Sequence, residues 1–205
     1  MGSEQLRRGD DGRRRCWWGS GPDYLSYHDE EWGRPVTGDD GIFERVCLEA
    51  FQSGLSWLTI LRKRESFRSA FAGFRIEKVV RFGPRDVERL MADAGIVRNR
   101  KKIEAAVANA RAAAALETPL AELVWGHRPR GRRPALRSLE DLPSVTPEST
   151  ALARELKERG FRFVGPTTAY ALMQACGIVN DHIPGCWVRA EVERERRLAI
   201  RSAGL

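Results

Sequence analysis

The chain has 205 residues, 42% of them apolar and 31% charged, with a formal net charge of +7 and an isoelectric point near 9.7. This length suits one large domain or two small lobes, and a core of that size needs no disulfide staple. No apolar run approaches the roughly 20 residues of a membrane span, and MGSEQLRRGDDGRRR has no apolar stretch behind its charges, so it does not read as a secretory leader.

In chain order, residues 1–15 read as a disordered N-terminal arm, 16–187 as a single domain, and 188–205 as a charged C-terminal helix or tail. The segment 16–38, rich in Trp, Gly, Asp and Pro, reads as ordered loop. From Asp39 the apolar residues Phe43, Val46, Ala50, Leu55, Leu58 and Leu61 recur at three- and four-residue steps, which predicts a helix capped by Asp39 or Asp40. Gly54 marks a break or a close contact within it. Pro84 opens the next helix and Gly95 closes it, and RNRKKIEAAVANARAAAALE follows with strong helix formers. Thr146–Pro147 opens a helix that Gly160 ends, and Gly165–Pro166 opens another that Gly177 stops. No alternating β-branched run occurs, so the fold class is all-α. Two segments, VERLMADAGIVRNRKKIEAAV and LARELKERGFRFVGPTTAYALMQ, share a helix–short hairpin–helix form.

The arginine excess favours a polyanionic partner such as nucleic acid, although a basic enzyme carries the same charge. In FRFVGPTTAY, Gly165 lets a phosphate approach the backbone at a helix N-terminus, and Thr167 and Thr168 offer hydroxyls. A plain helix–helix corner has the same sequence. The loop HRPRGRRPALR at 127–137 faces DNA or is a solvated charge run.

A cytoplasmic location is expected, where four cysteines are thiols or metal ligands rather than bridges. NDHIPGC places His182 and Cys186 four positions apart. Cys47 and Cys176 lie in apolar helical patterns and read as small core residues. His127 stands among arginines, a poor setting for a cation. Cys16 and His28 remain, in an irregular aromatic segment without its own apolar pattern. A Cys2His2 zinc would clamp that segment to the C-terminal one, and four protein ligands would make it structural. Two unrelated Cys/His pairs are the alternative. Glu49, with Ser53 and Trp57 at helical spacing and Tyr24, Tyr27 and Trp32 nearby in sequence, is either a carboxylate in an aromatic pocket or an ordinary helix glutamate.

CLEAFQSGLSWLTILRKRESF, YHDEEWGRPV, DAGIVRNRKKIEAAVANARA and RGFRFVGPTTAYALMQACGIVNDH together resemble the DNA-3-methyladenine glycosylase I family, from about Cys16 to Cys186. The resemblance implies a helix-hairpin-helix DNA glycosylase fold holding one structural Zn2+ per chain on Cys16, His28, His182 and Cys186. It implies Glu49 as the pocket and catalytic carboxylate, with Tyr27 and Trp57 as aromatic walls. The implied activity is hydrolysis of the N-glycosidic bond of 3-methyladenine by a monofunctional, monomeric enzyme acting on double-stranded DNA with alkylated bases. No redox or nucleotide cofactor is implied. The alternative is a zinc protein that binds alkylated DNA without catalysis. Ala50 stands where the family commonly has glycine, and Pro184 lies between two ligands. Asp181, sixteen residues beyond Gly165, reads as a group supporting His182 rather than as a catalytic aspartate. Lys63, Lys101 and Lys102 read as helix-face or DNA-backbone residues.

Overall fold

The computed structural model describes residues 5–131, 136 and 141–202. Helix starts follow the local chemistry. α1 (Asp39–Gln52) carries two aspartates in its first turn, favourable at the positive end of the helix dipole. α2 (Trp57–Ala70) is capped by Ser56, whose hydroxyl accepts from the Thr59 amide at 3.2 Å. α3 (Ile76–Val79) is a single turn. α4 (Pro84–Ala92) has proline in its first turn, where the missing N–H costs nothing. α5 (Arg100–Ala114) is capped by Asn99, and α6 (Leu120–Gly126) follows after a short turn. α7 (Pro147–Glu158) is capped by Thr146 and followed by Gly160 at positive φ. α8 (Pro166–Ala175) and α9 (Arg189–Ser202) complete the set.

α1 is the central helix. Ile42, Phe43, Val46, Cys47, Leu48 and Phe51 are all buried, and α5, α6, α2 and α8 pack around it. Phe51, Phe67 and Phe71 form a ring cluster with centroids 4.6–6.3 Å apart. Trp125 of α6 is fully buried and satisfies its indole N–H on the Val36 carbonyl at 2.7 Å. Among the described residues no helix is long and apolar enough to cross a membrane.

Three expectations need correction. The single helix expected from Asp39 onward is two, because the chain leaves helical geometry at Ser53 and Gly54 has φ +79°. Leu55, counted by periodicity among the apolar stripe, is 41% exposed in the intervening loop. The N-terminal arm is not without structure over its described part: β1 (Leu6–Arg8) pairs antiparallel with β2 (Arg14–Cys16), with Leu6 opposite Cys16. The ribbon holds because Leu6 packs on the small apolar cluster of Cys16, Ile183, Cys186, Val188 and Val192, and because the Trp187 amide donates to the Arg14 carbonyl at 2.9 Å. Positions 1–4 of the arm, 132–135 and 137 of the arginine-rich loop, and 203–205 of the tail lie outside the described residues.

Candidate functional site

Two constellations meet at the segment 27–32, a π-helical turn over Tyr27–Glu31 followed by Trp32. Its His28 faces the C-terminal segment and its Tyr27 faces α1 and α2.

On the first side lie Cys16, His28, His182 and Cys186, all buried, with their candidate ligand atoms within 4.8 Å of one another. Cys16 Sγ is 3.7 Å from His182 Nδ1, and Cys186 Sγ is 3.6 Å from His28 Nε2 and 3.7 Å from His182 Nδ1. A tetrahedral ion with metal–sulfur bonds of about 2.3 Å and metal–nitrogen bonds of about 2.0 Å puts sulfur and nitrogen about 3.5 Å apart. The donor set therefore fits a four-coordinate metal ion, and its four protein ligands would close the coordination shell. The remaining ring nitrogens are fixed. His28 Nδ1 meets Asp29 Oδ1 at 2.7 Å, and His182 Nε2 meets the Trp32 carbonyl at 3.1 Å. Asp29 is held in turn by Arg15, through Nε and Nη2 at 2.8–3.0 Å, and by the Trp187 indole at 3.1 Å. Hydrogen bonding from Cys16 and from both histidines draws the Cys186 thiol far below its ordinary value, and Cys16 is pushed correspondingly up.

Asp181 lies outside this ligand set. It accepts from Tyr170 Oη at 2.5 Å and Gln174 Nε2 at 3.0 Å, which ties the chain ahead of His182 to α8.

On the second side, Tyr27 and Trp57 stand with ring centroids 5.3 Å apart at 43°. Tyr27 and Glu49 are close enough that the carboxyl's charge helps push the phenol's pKa up, after the larger effect of burial. Glu49 is 6% exposed. Among the described residues its carboxyl accepts no hydrogen bond, and burial raises its pKa to about 8, opposed only by the Arg45 guanidinium one turn earlier on α1. The Trp57 indole N–H is sealed from water and has no partner among the described residues. A carboxyl with little exposure and no protein partner and a sealed indole N–H thus stand around one ring pair, and the unmet indole costs stability unless a ligand completes it. Glu49 and Trp57 do not share a helix face. Each adjoins Tyr27, from either side of the break at 53–56, with Ser53 exposed rather than lining the pocket.

At the second hairpin, Gly165 is extended (φ −104°) and open, with no atom within 4 Å of where a Cβ would stand. No side chain caps α8, and Thr167 is exposed and Thr168 half-buried. The hairpin is therefore free to take a phosphate on backbone amides and hydroxyls.

Residues 17–190 match the methyladenine glycosylase family. The chain belongs to that family. It is 48% identical over 179 residues to DNA-3-methyladenine glycosylase 1 of Escherichia coli K12, covering 84% of this chain and 95% of that protein. It is 42% identical over 179 residues to DNA-3-methyladenine glycosylase of Haemophilus influenzae, covering 84% and 96%. A crystal structure of 3-methyladenine DNA glycosylase I superposes with a TM-score of 0.80 at 47% identity, over 84% of this chain and 98% of that one. A structure concerned with 3-methyladenine recognition by the Staphylococcus aureus enzyme gives 0.76 at 34% identity, over 82% and 92%. The methyladenine glycosylase match runs from residue 17 to residue 190, so the whole N-terminal ribbon and nearly all of α9 lie outside it.

Reasoning from sequence missed the supports of both constellations. Asp29, beside His28, was a legible signal for a metal-orienting carboxylate. The Trp32 carbonyl, Arg15 and Arg45 had none, because their roles depend on how distant segments meet. The lysine expectation also changes. Lys102 is buried and donates to the Phe51 and Ser53 carbonyls, while Lys63 donates to those of Ala94 and Gly95.

Proposed function

We propose that this protein is a monofunctional DNA glycosylase that releases 3-methyladenine from alkylated double-stranded DNA, acting as a monomer with its catalytic machinery in the domain 16–187. The observation that carries the reading is the buried, unpartnered Glu49 carboxyl beside the Tyr27–Trp57 ring pair, in a chain whose relatives are named for this reaction.

A stacked base cannot be attacked in the duplex, so it must be extruded into a pocket. Methylation at N3 makes the purine cationic. The faces of Tyr27 and Trp57 attract that cation, at about 0.5–2 kcal/mol each depending on desolvation. Glu49 accepts hydrogen bonds from the base and is charged opposite to it, whereas neutral adenine gains no such pairing. As the C1′–N9 bond breaks, its electron pair goes to the base, which leaves neutral. The sugar becomes oxocarbenium-like, and water adds at C1′ and loses a proton. The leaving group is already activated, so no strong general acid is required. A Schiff-base lyase step needs a free amine. Lys63 and Lys102 both have their ammonium groups bound to backbone carbonyls, which favours simple hydrolysis.

Backbone amides after Gly165 and the hydroxyls of Thr167 and Thr168 would hold a DNA phosphate without reading sequence. The ion suited to Cys16, His28, His182 and Cys186 is zinc, since two thiolates and two imidazoles in a closed tetrahedron favour it. Bound there, it would supply no chemistry to the substrate but would join the two ends of the chain.

The test is release of free 3-methyladenine from methylated duplex DNA, read by chromatography. Release by the wild-type chain, reduced by at least about a hundredfold in Glu49→Gln, is expected. Binding of alkylated DNA without release would leave the non-catalytic reading instead.

A further inference from the structure

The mechanism above uses the pocket and the second hairpin but not what lies between them. That element is α5, and it carries two buried polar side chains with no role in either site. Lys102 is 7% exposed, and its Nζ donates to the Phe51 carbonyl at 2.8 Å and the Ser53 carbonyl at 2.5 Å. These carbonyls belong to the last turn and the C-cap of the helix that carries Glu49, and Ser53 begins the exposed link 53–56 that leads directly into Trp57. Asn109 is fully buried. Its Oδ1 accepts from the Arg162 amide at 2.7 Å and its Nδ2 donates to the Arg162 carbonyl at 3.2 Å. Arg162 lies inside the second hairpin, three residues before Gly165.

Each contact is paired rather than single. Lys102 meets two carbonyls of one helix end, and Asn109 imitates a strand partner by closing both hydrogen bonds of one residue. Seven residues separate them, two helical turns, so both project from the same side of a rigid rod about 10 Å apart along its axis. Burying an ammonium is costly unless it is bonded, and desolvation does lower the pKa of Lys102. An apolar side chain would fill that space at less cost, so a bonded lysine there points to geometry rather than packing.

We propose that Lys102 and Asn109 are positioning residues, and that α5 fixes the register between the hairpin that grips the DNA backbone and the rim loop 53–56 of the base pocket. Excision from a duplex requires the backbone grip and the pocket to act on one nucleotide at once. A misplacement of about 1 Å between them is enough to cost on the order of a hundredfold in rate. A free base needs no such register, because Glu49 and Trp57 stand on α1 and α2, which are anchored by Phe51, Ile60 and Phe67, and Tyr27 stands on the turn Tyr27–Glu31, away from the hairpin.

The inference rests on the glycosylase reading, and the experiment separates the two. Single-turnover excision of 3-methyladenine from duplex DNA and equilibrium binding of free 3-methyladenine are measured for wild type, Lys102→Met, Asn109→Ala and the double variant. All are held at a temperature where circular dichroism shows each folded. Absence of excision by wild type would defeat the glycosylase reading itself. With wild type active, each single variant is expected to lose at least about tenfold in excision while free-base affinity stays within about threefold. The double variant is expected to lose no more than about twofold beyond the worse single, because both substitutions release the same register. Lys102→Arg, which keeps a charged donor able to reach carbonyls, is expected to recover part of the rate. The proposal is overturned by excision within twofold of wild type in both singles, by free-base affinity falling in step with excision, or by losses that multiply in the double variant.

Discussion

Glu49 shows how one residue can be unfavourable for the fold and useful to the site. Its carboxyl is buried without a bond, and its pKa rises to about 8 from an ordinary 4.5. Between those values the folded chain keeps a proton that the unfolded chain has released, so stability falls as pH rises through the window and is fully present only below about 4.5. Glu49→Gln removes that dependence. Its melting temperature is expected to exceed that of wild type by little near pH 5 and by clearly more near pH 8.5, where the stability difference is on the order of a few kcal/mol. A constant difference across that range in thermal melts would show that the carboxyl is solvated. The same protonation governs the chemistry. A cationic base requires the ionised carboxylate, so kcat/KM of wild type is expected to climb as pH rises toward about 8 and to flatten above it. Arg45, the one charge that opposes the burial effect, sits a single turn away on α1.

At the scale of elements, the helix ends written in Pro, Thr and Gly were legible, because capping and φ restriction are local chemistry. The break between α1 and α2 was half legible. Gly54 announced it, but the apolar count ran through it and enrolled Leu55 in the core. The β-ribbon was not legible, since its support comes from Ile183 and Trp187, far along the chain. Of the site, the four sulfur and imidazole residues could be reached by elimination. Helical spacing grouped Glu49 with Trp57 on one face, which the end of α1 between them rules out, and the family resemblance supplied Tyr27 and Trp57 as walls. Two glycines show how differently an element can depend on one. Gly177 ends α8 at φ +71°, and a Cβ there would stand 2.6 Å from the Gly33 carbonyl oxygen and 2.7–2.8 Å from Arg34 backbone atoms. That backbone cannot yield without moving Trp32, whose carbonyl orients His182. Gly54, at φ +79°, has open space around it. Gly54→Ala is therefore expected to cost only the conformational penalty of about 1 kcal/mol. Gly177→Ala should cost at least twice that and lower metal content as well. Urea midpoints with zinc analysis would decide, and equal shifts for the two would refute the docking argument.

The whole molecule has two cores of unequal size. The large one surrounds α1. The small one gathers Cys16, Ile183, Cys186, Val188 and Val192 with Leu6, Trp18 and Trp187. Five buried residues exclude too little apolar surface to offset the ordering of segments that lie 166 positions apart at Cys16 and His182. Ion pairs between Arg34 and Glu191 and Glu195 help α9 to dock, but they are half-exposed and individually weak. The cluster of thiols and imidazoles is placed to hold the ends, and a metal bound there would contribute directly to folding. Removing it with a chelator is expected to open residues 14–34 and 178–192 to amide exchange while α1, α5 and α8 stay protected. Tyr27 adjoins His28, so the aromatic wall of the pocket should be lost with the metal although Glu49 remains in place. Free 3-methyladenine should then bind more weakly in proportion to the metal removed, and readdition of zinc should restore both protection and binding. Unchanged exchange at 14–34 after complete metal removal would show that the small core stands by its own packing.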